Sequence, residues 1–177
     1  MTDTYRWVIR PPESPSIEFS GISYTQRKLN QDCIISLLWG QAKAYRQRQP
    51  PLMSNIVQAS AQGEEHSVGD VMLRLKFDYE RVQQQDWPRF TWQDVAALLD
   101  QLRVVYGAYE QYNVIEGTIR ILGDVERIVG KLSIENKNQP VQRAPSSAAP
   151  KEIAAVIQPS TVNTAGSVNA GNKTSVL

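Results

Sequence analysis

Phe90-Thr91-Trp92-Gln93-Asp94-Val95 is where the architecture of this chain becomes legible, because it reads as the entry to a helix. Thr91 can cap the backbone N–H of Asp94 while Asp94 reaches back to Thr91, a capping box with Asp in place of Glu. Phe90 and Val95 stand at the two positions of a hydrophobic staple around it. Beyond the cap, Val95, Leu98, Leu99, Leu102, Tyr106 and Tyr109 recur on one helical face. The spacing predicts a helix over residues 92–106, with Gly107 weakening or ending its last turn.

Working outward, residues 114–122 alternate Ile115, Gly117, Ile119 and Ile121 against Glu116, Thr118 and Arg120. After Gly123-Asp124-Val125-Glu126, residues 127–134 alternate Ile128, Gly130, Leu132 and Ile134 against Arg127, Val129, Lys131 and Ser133. Period two on both sides of a short Gly-Asp loop is a β-hairpin pattern. Gly117 and Gly130 fall within the apolar sets, where each either admits a large neighbour, such as an aromatic from the helix above, or marks a bulge. Upstream of the helix, Val71, Leu73, Leu75, Phe77 and Tyr79 alternate with Arg74, Lys76 and Asp78. That is a strand buried on one face and wet on the other, as in an antiparallel sheet.

The N-terminal half is written less clearly. Ile34, Leu37, Leu38, Gln41 or Ala42, and Tyr45 keep helical spacing over residues 30–46, and Pro50-Pro51 stops whatever precedes it. Tyr5, Trp7 and Ile9 alternate over residues 4–9, and residues 17–24 form another strand, broken at Gly21. Residues 10–15, with Pro11, Pro12 and Pro15, read as an extended linker. Residues 54–69 are polar and small and read as a surface loop.

Every Trp, Tyr and Phe lies between Tyr5 and Tyr112. From Glu135 onward Ala, Ser, Thr, Asn, Val, Pro and Gln dominate, and no periodicity survives except a short turn near residues 152–157. Such a segment buries too little surface to offset its ordering entropy. The expected organisation is a single α+β domain over residues 1–136, a small mainly antiparallel sheet packed against two helices. A disordered low-complexity tail over 137–177 completes it.

The chain has 177 residues, room for one domain of ordinary size. Its net charge of +1 arises from 19 basic and 18 acidic side chains. That balance gives no reason to expect nucleic acid, since phosphate binding needs a clustered basic excess. The densest basic stretch, Lys43 with Arg46-Gln47-Arg48, reads as the solvated end of a helix. A single cysteine excludes an intramolecular disulfide and, with a single histidine, the common Cys/His zinc sites. The N-terminus shows no apolar run that would make a secretory signal, and no window is long and apolar enough to span a membrane. A cytoplasmic location is the expectation, and without secretion the Asn172-Lys173-Thr174 acceptor pattern carries no weight.

Chemistry is sparsely signalled. Nucleophilic hydrolysis needs a His base, and His66 lies in the polar stretch Gln62-Gly63-Glu64-Glu65-His66, where a solvated loop histidine is the economical reading. Cys33 near a helix start gains from the macrodipole, yet it adjoins the apolar stripe and reads as a half-buried structural thiol. Asp94 is explained as a cap, Asp100 faces away from the stripe, and Asp78 and Glu80 lie on or beyond a wet strand face. No phosphate loop or dinucleotide fingerprint occurs, so no catalytic, metal or cofactor residues are assigned and no cofactor is expected. Trp87 and Trp92 at the helix start are the candidate contact surface, because large amphipathic rings dominate interface energetics. Cover for the edge of the same core is the more economical reading of both. The Pro11, Pro12, Pro15 stretch and the C-terminal Ser175-Val176-Leu177 are weak peptide-recognition patterns, common by chance.

Phe90-Thr-Trp-Gln-Asp-Val95 with Leu98, Leu99 and Leu102, and Val129-Gly130-Lys-Leu132 in the second hairpin strand, resemble a widespread group of small proteins from filamentous ascomycete fungi. The likeness runs closely over residues 71–134 and loosely over the upstream helix at 30–46. It rests on capping and packing residues, and it implies an α+β fold and a fungal source but no activity. The chain departs from many members of that group in lacking a secretion signal and in its Ala/Ser/Thr tail.

Three functions compete. The first is a non-catalytic interaction or accessory protein, with another protein as partner. The second is a cofactor-independent small-molecule binder or enzyme of a fungal biosynthetic pathway, with Tyr and Trp lining its pocket. The third is a viral matrix-type structural protein that self-assembles as a homo-oligomer, which the near-zero net charge disfavours.

Overall fold

The computed structural model describes residues 4–48, 63–77, 90–123, 127–139 and 151–152. Within them run β1 (Thr4–Ile9), β2 (Ile17–Lys28), α1 (Gln31–Gln47), β3 (Glu64–Val68), β4 (Val71–Phe77), α2 (Trp92–Tyr109), β5 (Asn113–Ile121), β6 (Arg127–Asn136) and the two-residue β7 (Lys151–Glu152). The strands form one sheet in the order β3-β4-β6-β5-β2-β1-β7, antiparallel throughout except for β7, which pairs parallel to β1. The expected α+β architecture, a mainly antiparallel sheet packed against two helices, is the one observed.

Three hairpins build the sheet, and the last of them, β5–β6, is inserted between the first two. α1 follows β1–β2 but packs over β3 and β4, and α2 follows β3–β4 but packs over β1 and β2. The two halves therefore exchange helices across the central hairpin. The helices run antiparallel and are tied by Arg46 of α1, which pairs with Asp100 of α2, and by Gln93 Nε2 donating to the Arg46 carbonyl. Among the described residues, all the helix cover lies on one sheet face and no element covers the other.

The α2 cap forms as its sequence requires. Thr91 Oγ1 accepts from the Asp94 backbone N–H while an Asp94 oxygen accepts from the Thr91 backbone N–H, at 3.3 and 2.7 Å. Asp94 also accepts from Ser14 Oγ at 2.7 Å, which pins the β1–β2 connection to the start of α2. That connection is a compact turn and not the extended linker expected. Ser14 N–H donates to Pro11 C=O, placing Pro12 where a turn favours proline. Asn30 caps α1 by accepting from Cys33 N–H.

Gly107 does not end α2, which continues to Tyr109 and stops at Glu110, a left-handed residue with φ of 50°. Gly107 is exposed, and no atom lies within 4 Å of where its Cβ would be. Gly107→Ala should therefore stabilise the protein by about 0.5–1 kcal/mol, through helix propensity alone. Urea unfolding measures it, and a lowered midpoint would show a role for that glycine beyond the helix.

β2 is not broken at Gly21. Gly21 pairs across the sheet with Gly117 of β5, and the Phe19 ring lies over both on the helix side. The Phe77 ring lies over Gly130 in the same way. The large neighbours admitted at Gly117 and Gly130 are thus strand residues and not rings from the helix. A bulge is present as well: the β5–β6 register slips at Val129, which turns its side chain inward and leaves Ile128 56% exposed. The alternation expected for residues 127–134 therefore reverses at that step.

The stretch expected to be a polar loop contains β3, which joins β4 through Gly69-Asp70, with Gly69 at φ of 59°. A positive φ at the first residue of a two-residue hairpin turn is the position glycine serves best. The tail lies outside the described residues apart from residues 137–139, which turn back on the end of β6, and β7.

Candidate functional site

The open sheet face carries a shallow groove of about 600 Å³, floored by β4, β6, β5, β2 and β1. Side chains alternate along each strand, so the face can be read off the register. One cross-strand row is Arg74, Ser133, Glu116, Ile22 and Arg6, and the next is Lys76, Lys131, Thr118, Ser20 and Val8. All but Val8 line the groove.

These residues have unequal duties. Arg74 donates to Glu65 at 2.8 Å and to Glu135, whose side chain is 6% exposed, so its guanidinium is already engaged. Glu116 accepts from Tyr24 Oη at 2.7 Å. Lys76 and Lys131 stand directly opposite one another on β4 and β6, both exposed, and neither side chain has a hydrogen bond or ion pair among the described residues. Like charges directly opposed across strands destabilise a sheet by a few tenths of a kcal/mol up to about 1 kcal/mol. The β4–β6 end of the groove thus holds an unfavourable pair, followed by the hydroxyls of Thr118, Ser133 and Ser20.

A second constellation sits at the end of the helix layer. Arg48, just past α1, makes a two-pronged pair with Glu64 of β3 at 2.7 and 3.0 Å. Tyr45 Oη donates to Glu64 at 2.8 Å, and His66 Nε2 lies 3.0 Å from Tyr45 Oη and 3.1 Å from Glu64. The Arg48 guanidinium stacks over Trp92 at 4.0 Å and Tyr45 at 4.6 Å, while Trp92 and Tyr45 stack at 4.8 Å.

His, Glu and Tyr in contact suggest proton transfer, but the environment favours an anchor. Tyr45 is fully buried, and burial together with the bond to Glu64 pushes its hydroxyl pKa well above the ordinary value. Both Glu64 oxygens are occupied by Arg48. Burial would raise the Glu64 carboxyl, but the hydrogen bonds from Arg48, His66 and Tyr45 outweigh it and hold it below the ordinary 4.5. The cluster fastens the β3 edge to the end of α1.

That anchor has a pH signature. Because its folded pKa is depressed, Glu64 contributes stability in full above about pH 4.5 and loses it as pH falls through the lower folded value. Glu64→Gln should cost about 2 kcal/mol at neutral pH, the scale of hydrogen bonds to a charged group. Denaturant unfolding of both proteins at pH 7 and in acid should show the gap narrowing as the wild-type carboxylate is protonated. A gap that does not change with pH would remove Glu64 from the account.

The residues singled out from the sequence are dispersed. His66 is not a solvated loop residue but lies half-buried on β3, and Arg48 is engaged with Glu64 and two rings instead of being merely solvated. Cys33 is half-buried against the core, as read. Trp92 is partly buried, meets Phe77 edge-on at 5.9 Å and packs against the core, while Trp87, Asp78 and Glu80 lie outside the described residues. Buried carboxylates were missed: Glu18, paired with Arg10, and Glu135, paired with Arg74, are both under a tenth exposed. A Gly-Asp pair between Val68 and Val71 was the available signal for β3. Nothing in the sequence could reveal that Lys76 faces Lys131, because strand pairing is not written locally.

Among the described residues no three of His, Cys, Asp and Glu converge as ligands for a cation, and no helix is long and apolar enough to cross a membrane. No family model, curated protein or solved structure matches the chain.

Proposed function

We propose that the protein is a non-catalytic interaction protein, with a cytoplasmic location, that holds a protein partner on the open face of its sheet. The groove carries this reading: it is a concave surface of about 600 Å³, lined by charged and hydroxyl side chains, their aliphatic stems and the Gly21–Gly117 backbone, with both described helices on the opposite side. Its floor is regular sheet, rigid and pre-formed, which keeps the cost of ordering low on binding. The space near Gly117 and Gly130 that a buried small-molecule pocket would need is filled by the Phe19 and Phe77 rings, which disfavours the binder or enzyme alternative. Self-association through this face is disfavoured because it would bring two lysine pairs together. The likeness to the ascomycete group stands beside this reading as an indication of source.

The test is a steric block. Thr118→Trp puts a large ring on the groove floor without touching the core, and Trp39→Ala alters the exposed helix side as a control. Each is used as bait in extract beside the wild type, with folding checked by circular dichroism. The reading expects a stoichiometric partner retained by wild type and Trp39→Ala but lost by Thr118→Trp. A partner retained equally by all three would place the interaction elsewhere and overturn it.

A further inference from the structure

We infer that the segment held on the open face is an extended peptide with its carboxylates gathered at one end, seated over Lys76 and Lys131. This deepens the proposed function and rests on it. The first observation is the lysine pair itself. Two exposed ammonium groups directly opposed on adjacent strands repel, and no carboxylate among the described residues reaches either of them. An acid brought from outside converts that repulsion into two attractions.

The second observation is the asymmetry of the groove. From the lysine end the floor runs through the hydroxyls of Thr118, Ser133 and Ser20 to Ile22, which is 36% exposed, and then to Arg6. Arg74 and Arg6 are separated by four strand-to-strand steps, roughly 19 Å at the usual spacing. That is the span of about six extended residues. Midway stands Glu116, its carboxylate held in place by Tyr24.

Glu116 decides against evenly charged polyanions. A nucleic acid or polyphosphate crossing the groove would bring a phosphate against that carboxylate, whereas a peptide with acids at one end would not. The overall net charge of +1 likewise provides no long-range field for nucleic acid. The chain's own tail is a poor occupant, because Lys137, Arg143, Lys151 and Lys173 outnumber Glu152. Lysine is suited to the role, being a flexible point charge that can follow a carboxylate without a fixed fork geometry.

The experiment titrates the full chain, monitored by amide NMR shifts, with synthetic peptides of about six residues. One carries Glu at its first positions followed by Ser, Val and Ala. A second has Gln in place of Glu, a third has the Glu residues spread along its length, and an oligonucleotide of similar length serves as the polyanion. The end-loaded peptide should move the signals of Lys76, Lys131, Thr118 and Ser20. It should bind at least about tenfold more tightly than the Gln and spread versions and weaken at physiological ionic strength. Lys76→Gln with Lys131→Gln should lose about tenfold while leaving the fold intact. Equal binding of the Gln peptide, or tighter binding of the oligonucleotide, would overturn the inference, as would an end-loaded peptide that moves none of these signals. If the double Lys→Gln protein keeps the partner that Thr118→Trp loses, the acidic class fails and the open-face reading survives. If Thr118→Trp also keeps it, both fail.

Discussion

Gly117→Val is expected to be among the most damaging single substitutions in this protein, costing about 3 kcal/mol or more. A Cβ at Gly117 would overlap the Ser20 carbonyl oxygen and lie 2.5 Å from Gly21 Cα and 2.8 Å from the Phe19 ring. Two of these neighbours are backbone of the adjacent strand, which cannot rotate away as a side chain can. Phe19 is fully buried and equally confined. Relief requires β2 and β5 to move apart, and those strands join the β1–β2 hairpin to the rest of the sheet. Overpacking usually costs about 1–3 kcal/mol where side chains can adjust, and here they cannot. Guanidinium unfolding, or soluble yield if no folded protein forms, measures the loss. An unchanged midpoint would mean that the two strands are not in this register. The contrast with Gly107→Ala is part of the prediction, since only the space around the Cβ distinguishes a harmful substitution from a helpful one.

Arg74→Ala should cost about 3 kcal/mol, although Arg74 is exposed and lines the groove. Its partner Glu135 is nearly buried on β6, and losing the guanidinium leaves a carboxylate there with no counter-charge. Removing one member of a buried pair typically costs about 3–5 kcal/mol, and the partial exposure of Arg74 places this case at the low end. Adding Glu135→Gln to Arg74→Ala should recover much of the loss, because no buried charge is then left unpaired. If the double variant is no more stable than the single one, Arg74 contributes by packing its stem and not by compensating Glu135. Arg74 is thus a structural cation, which leaves Lys76 and Lys131 to meet an acidic partner.

The parts of the fold that were legible are those fixed within a few residues of sequence. The Thr91–Asp94 box, the alternation of β4 and the hairpin around Gly123 are local devices, and each stands where it was read. The readings that failed depended on distant partners. Gly21 looked like a break because the filling ring of Phe19 and the facing Gly117 are consequences of strand pairing. The reversal at Ile128 and Val129 is a bulge beside Gly130, where a bulge was one of two readings, but which side chains it turns depends on the pairing with β5. His66 looked solvated because Tyr45 reaches it from another element. The same limit governs the candidate site. Arg74, Lys76 and Lys131 could each be placed on a wet strand face, but their convergence required the β4–β6 register.

On the proposed function, the sheet tolerates the opposed lysines for the sake of an acidic partner. The unfolding midpoint of Lys131→Glu without any partner tests that directly. The substitution turns a repulsive cross-strand pair into an attractive one, so the midpoint should rise by a few degrees, a gain of up to about 1 kcal/mol, and the retained partner should be lost. A lower midpoint would contradict it, because Lys131 would then be serving the fold and the open face would hold no charge set aside for binding.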